Sequence, residues 1–330
     1  MGKYKTCLFA IPLSVASLGV VSVLVRYLRD MRAAREQVDR LGSQVIETAC
    51  GPIECARVGD GYPVLVAHGD MGGFDQGLML ANPIFDSGFQ VISLSRFGYL
   101  RSPLPADANV NLQADAYAYL LDALGIRQAA VFAFSAGATS AIRFAARHPE
   151  RVSALILLCP AAPGKVEVAS PPRAVFDILM RSDFVYWAMI TYLRPWMQSV
   201  IGVPKGFDLT SEMEAEAKKI LASTLPLSKR FDGFIFDTYD PGLNRDFRES
   251  ISETSPYPPG EIKTPVLVIG AADDPYAVLE NVRGLAGKIP NARLFVVPDG
   301  GHPLLGHSHE VKSEIAHFLH SSVAALSHSQ

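Results

Sequence analysis

The chain has little cysteine, little tryptophan and almost no excess charge of either sign. Its 330 residues include four cysteines and two tryptophans, with a formal net charge of −3. Cys7, Cys50, Cys55 and Cys159 are too few and too irregularly spaced for a disulfide framework, and no Cys/His spacing fits a zinc site. Cys50 and Cys55 are near enough to meet across a hairpin, but two free thiols is the simpler expectation. The charge balance, with no recurring lysine/arginine face, argues against nucleic acid as a partner. A glycine-rich phosphate loop, an internal repeat and a low-complexity tract are all missing. No motif calls for a cofactor or a metal.

Apolar residues are plentiful. At 49% of the chain they suffice for one large α/β domain with a buried parallel sheet, or for two smaller domains. One apolar run stands apart: residues 6–25 (TCLFAIPLSVASLGVVSVLV) carry no charge across 20 positions. As a helix this run would be about 30 Å long, the thickness of a bilayer's hydrocarbon core. A transmembrane anchor fits that length. A cleaved signal peptide fits the Lys3/Lys5 start but lacks a clear small-x-small cleavage site, and a buried core helix is the third reading. Arg26, Arg29, Arg32, Arg35 and Arg40 come after the run, so the positive-inside tendency places the body on the cytoplasmic side, export being the alternative. Residues 27–41 read as an amphipathic spacer suited to anionic headgroups or simply to solvent.

The most informative stretch is Ala133-Phe134-Ser135-Ala136-Gly137. Before it, residues 128–134 (QAAVFAF) form a short apolar run typical of a buried parallel strand; after it, residues 136–147 read as a helix. A serine between small residues at such a junction sits on a sharp turn that lifts its hydroxyl above the sheet edge. An ordinary turn with Ser135 as helix cap is the plainer alternative. Two later strand ends decide between them. Residues 264–270 (TPVLVIG) form a strand leading into Asp273 and Asp274. Residues 291–298 (NARLFVVP) form another, ending in Asp299-Gly300-Gly301-His302. The order Ser135, Asp274, His302 is that of a nucleophile, an orienting acid and a base, and the intervening helix and strand would set the last two loops side by side. Asp273 is the alternative acid. Upstream, the strand 62–67 ends in His68-Gly69-Asp70-Met71-Gly72-Gly73. That turn can offer a backbone N–H, from Asp70 or else Met71, to pair with the N–H of Ala136 as an oxyanion hole, where each donor is worth about 2.7–4 kcal/mol in the transition state. His68 reads as a structural residue that orients the turn.

On these residues the chain, from about Ser43 onward, resembles the α/β-hydrolase superfamily. Residues 45–58 match its opening strand pair, and residues 91–102 match a segment where the family often has Asp-Arg-Pro-Gly-Tyr-Gly-x-Ser. Residues 147–159 match the link from the elbow helix to the next strand. Ser95 stands where an aspartate is common, and Phe97 where a proline is common. The resemblance implies an α/β-hydrolase fold: a mostly parallel sheet flanked by helices, with a helical cap inserted over the nucleophile. The expected layout is an anchor (1–28), a spacer (29–42), core (43–160), cap (161–258) and core (259–330). Cap helices are expected at 173–180, 185–200, 211–223 and 229–237. The cap's many aromatics suggest an apolar pocket for a hydrophobic ester-like substrate. The implied activity is cleavage of a carboxylic ester. Carbon–carbon bond cleavage, amide cleavage or perhydrolysis on the same triad is the alternative, and a non-catalytic ligand-binding protein is the reading from another class. Dehalogenase or epoxide hydrolase chemistry fits poorly, because those relatives carry aspartate where this chain has Ser135.

Overall fold

A computed structural model describes residues 7–85, 88–162, 173–174, 177, 181–239 and 259–327, with side chains between residues 19 and 322 apart from that of residue 239. Eight strands form one sheet: β1 (Gln44–Thr48), β2 (Gly51–Val58), β3 (Gly61–Ala67), β4 (Gly88–Leu94), β5 (Ala129–Phe134), β6 (Val152–Leu158), β7 (Val266–Ala271) and β8 (Ala292–Val297). Their spatial order is β1-β2-β4-β3-β5-β6-β7-β8. Only β1 with β2 and β2 with β4 are antiparallel; every other pairing is parallel. The five residues Ala129–Ala133 and all of Val152–Leu158 are buried, as expected for strands covered by helices on both faces.

Strand register aligns the carboxyl ends that matter. Ala67 of β3 pairs with Ala133 of β5, Leu158 of β6 pairs with both Phe134 and Ile269, and Ala271 of β7 pairs with Val297 of β8. The loops after β3, β5, β7 and β8 therefore open on the same edge, where open α/β sheets bind ligands. Helices α2 (Phe74–Ala81), α3 (Val110–Ala123) and α4 (Gly137–Arg147) join the strands of the first half.

The cap is helical. Its described elements are α5 (Asp183–Tyr192), α6 (Arg194–Val200), α7 (Ser211–Ser223) and α8 (Phe231–Tyr239). The single helix expected over 185–200 is two, broken at Leu193. Pro195 has no N–H to continue the ladder and occupies the first turn of the new helix, where none is needed. The expected helix at 173–180 lies largely outside the described residues. Trp187, Tyr186 and Met197 are buried in a second apolar cluster, separate from the sheet core. Helices α9 (Leu279–Lys288) and α10 (Ser308–Ser327) complete the core.

The N-terminal part differs from expectation in two respects: its division into elements and the expected transmembrane span. Anchor and spacer are not separate elements: a single helix, α1 (Cys7–Arg40), runs through both. Exposed i,i+4 pairs such as Arg32–Glu36 support its polar end. Among the described residues no helix is long and apolar enough to cross a membrane; most of the uncharged run 6–25 falls on residues whose side chains lie outside those described. The far half of α1 packs on the cap. Met31 is buried there, the Tyr27 ring meets Phe184 and Trp187 edge-on at 5.1 and 5.3 Å, and Trp187 Nε1 donates to Asp30 Oδ2 at 3.1 Å.

Candidate active site

Ser135 directly follows β5 with φ +51°, a left-handed conformation uncommon for a side-chain-bearing residue. The strain is held in place by the surrounding backbone: the Ser135 N–H donates to Leu158 O at 3.0 Å, while its carbonyl accepts from Ala138 N at 3.0 Å and Ala161 N at 3.1 Å. The need for small neighbours is direct. A Cβ on Gly137 would lie 2.5 Å from His68 O and 2.6 Å from Ala67 O, and Ala133 has no exposed surface.

His302 Nε2 lies 2.8 Å from Ser135 Oγ, and His302 Nδ1 lies 2.8 Å from Asp274 Oδ2. The other Asp274 oxygen accepts from the N–H groups of Tyr276 (2.8 Å) and Ala277 (2.9 Å). Burial alone would raise the Asp274 carboxyl. The charge and hydrogen bond of His302, with the two amides, outweigh it and hold the group below its ordinary value. Of the two aspartates that spacing left open, Asp274 meets the imidazole. Asp273 instead accepts from Gly301 N at 2.9 Å, tying down the loop that carries His302. The imidazole is further enclosed by Phe134 and Tyr276, with ring centroids 5.1 and 5.5 Å away. Cys159, Asp274 and His302 have ligand atoms close enough together for a metal. The geometry does not favour one: both carboxylate oxygens and both ring nitrogens already have partners, and burial, then Asp274, pushes the Cys159 thiol well up, away from the thiolate a metal would need.

The turn after β3 lies beside Ser135. Among the described residues neither Asp70 N–H nor Ala136 N–H donates to a backbone carbonyl. His68 is completely buried; Arg96 N donates to its Nε2 at 3.0 Å, leaving Nδ1–H to donate to Gly69 O at 2.7 Å. Burial, then the nearby Arg96 charge, holds His68 well below its ordinary value, so it is a neutral spacer for the turn. Arg230, fully buried at the start of α8, donates to Gly72 O at 2.6 Å and forms a bidentate pair with Asp75 at 2.9 and 2.7 Å. The cap thus grips the glycine-rich turn.

Sequence reasoning missed most of this support. Arg96 pairs bidentately with Asp237 of α8 at 2.8 and 2.6 Å, and Tyr99 OH donates to the same carboxylate at 2.6 Å. Beside them the Asp70 carboxyl is pushed up to about 8, by burial first and by the Asp237 charge second. Partners 141 residues apart leave no local signal. The serine at position 95 also has an explanation: buried Glu54 of β2 supplies a carboxylate there, accepting from Ser95 Oγ at 3.0 Å, Arg101 N at 3.0 Å and Arg101 Nε at 2.7 Å. The aromatic pocket is only partly as expected. Tyr186 and Trp187 pack the cap interior, whereas Phe184, Tyr192 and Trp196 face outward.

Fold and site together define an α/β hydrolase. Residues 62–189 match the family model described as the alpha/beta hydrolase fold, and residues 248–324 match one described as TAP-like protein; the chain belongs to the α/β-hydrolase superfamily and is a hydrolase. It is 28% identical over 251 residues to a 2-hydroxy-6-oxo-6-phenylhexa-2,4-dienoate hydrolase of Comamonas testosteroni, covering 74% of this chain and 82% of that protein. It is 28% identical over 202 residues to a poly(3-hydroxyalkanoate) depolymerase of Ectopseudomonas oleovorans, covering 61% of this chain and 64% of that one. Among solved structures it is similar to an alpha/beta hydrolase fold protein from Nakamurella multipartita, with TM-score 0.63, 28% identity and coverage of 84% and 99%.

Proposed function

We propose that the chain is a membrane-tethered serine hydrolase that cleaves a hydrophobic carboxylic ester through an acyl-enzyme on Ser135. Ser135 Oγ attacks the ester carbonyl while His302 Nε2 takes its proton, and Asp274 stabilises the imidazolium that forms. The negative charge on the carbonyl oxygen is received by the N–H groups of Asp70 and Ala136. His302 returns the proton to the leaving alkoxide; water, deprotonated by the same imidazole, then releases the acid. The observation that carries this reading is the line Ser135–His302–Asp274, with both links at 2.8 Å. The tether is supported by the 20 uncharged residues 6–25 and by their continuation into α1; the basic residues beyond them favour a cytoplasmic body. A fluorophosphonate probe applied to membrane and soluble fractions tests both parts. Labelling is expected in the membrane fraction for the wild type and none for Ser135→Ala, whose ester turnover should fall by about 10³-fold or more. Normal turnover by Ser135→Ala on every ester tried would end the proposal.

A second reading, carbon–carbon bond cleavage, is favoured by the dienoate hydrolase relative. It predicts turnover of vinylogous acids without turnover of simple p-nitrophenyl esters.

A further inference from the structure

Apolar exposure on this molecule is concentrated. Among the described residues, nine of the fourteen exposed large hydrophobic side chains lie on α1 or within residues 184–196 of the cap. On the cap, Tyr192, Leu193 and Trp196 are 51%, 53% and 56% exposed; on α1, Leu24 is 49% exposed. A patch of this kind on a globular body marks a surface that meets something apolar.

Its position along α1 says what that is. The uncharged run ends at Val25, and the first cation after it, Arg26, sits over the Tyr192 ring with Cζ 5.5 Å from the centroid. Arg29 and Arg32 come next, both highly exposed. The bond from Trp187 to Asp30 and the packing of Tyr27 fix the cap rigidly at this level. Tyrosine and tryptophan beside the first arginines after an apolar helix is the arrangement of a membrane–water boundary. From there α6 leads straight to the site. Trp196 lies outside and Met197 is buried; Ser199 and Val200 carbonyls accept from Tyr276 OH, and Gly202 O accepts from His302 N at 3.0 Å. Only five residues separate Trp196 from Gly202.

We propose that the cap face around Tyr192, Leu193 and Trp196 docks into the headgroup–acyl boundary of the bilayer that holds residues 6–25, and that the enzyme draws its substrate, an acyl-ester lipid, from that bilayer. This rests on the tethered-hydrolase reading above. Of the possible occupants, the bilayer is the one that α1 itself delivers to the patch, and the arginines beside it complement anionic headgroups.

The test uses the full chain in liposomes of phosphatidylcholine and phosphatidylglycerol, with phosphatidylcholine brominated at defined chain depths. Trp187 and Trp196 are the two tryptophans of the chain, so subtracting the emission of Trp196→Phe isolates Trp196. Its emission should be blue-shifted, and quenched most strongly by bromines nearest the headgroup. The double variant Leu193→Glu/Trp196→Glu should keep p-nitrophenyl butyrate turnover within twofold while hydrolysis of bilayer phospholipid falls at least tenfold. Protein that floats with the liposomes, yet shows water-like unquenched Trp196 emission, overturns the docking and leaves the tether standing. Protein that does not float overturns both. A blue shift that grows with protein density and ignores bromine depth means a second copy covers the face, which also overturns the proposal. Depth-dependent quenching without hydrolysis of either ester upholds the docked surface but ends both the lipid-substrate claim and the hydrolase reading behind it.

Discussion

At the scale of single residues, Asp70 is the position where charge and chemistry meet most closely. Its backbone N–H is the proposed second oxyanion donor, while its carboxyl lies beside Asp237 and is pushed up from 3.8 to about 8. A carboxyl raised in the fold binds its proton more tightly folded than unfolded. Its contribution to stability is therefore full below about pH 4, declines as pH rises toward 8 and levels off above that. Ionisation would also put a negative charge next to a developing oxyanion. Wild-type kcat/KM should fall above about pH 8, and Asp70→Asn should abolish that limb and flatten stability between pH 4 and 8. Parallel pH–rate and pH–melting profiles of the two proteins check this; a variant that retains the wild-type limb would disprove it. The choice between Asp273 and Asp274 belongs to the same scale. Spacing cannot separate adjacent carboxylates, because what selects one is its loop. The Asp274 oxygens are aimed by two amides of the next turn, and Asp273 is turned toward Gly301 instead.

Between elements, the strand ends were legible because buried parallel strands read as short unbroken apolar runs and the reacting residues come directly after them. The tie from β4 to α8 was not, since it joins Arg96 to Asp237 across the cap insertion. Nor was the carboxylate that Glu54 presents to Ser95 from the neighbouring strand, because a side chain's partner across a sheet depends on register. Both members of the Arg96–Asp237 pair are 4% exposed in their side chains. Removing one leaves an uncompensated buried charge, so Asp237→Ala should cost about 3–5 kcal/mol of stability in a denaturant melt. Replacing both members with apolar residues of similar volume should cost far less.

For the molecule as a whole, the cap is clasped from two sides: by α1 through Trp187 and Tyr27, and by the core through Arg230. Trp187→Ala should cost about 3–5 kcal/mol and expose the 26–35 stretch of α1 to limited proteolysis ahead of the sheet core. Equal protection of both would argue against the clasp. The sequence could announce an apolar helix at one end and a helical insertion in the middle; that the two embrace depended on contacts 157 residues apart. The core clasp has its own consequence. The carbonyl of Gly202 holds the backbone of His302, and the carbonyls of Ser199 and Val200 hold Tyr276 against that same ring. These contacts make the cap a structural support of the base, so a substitution that loosens its seat on the core acts on the His302 imidazole as well.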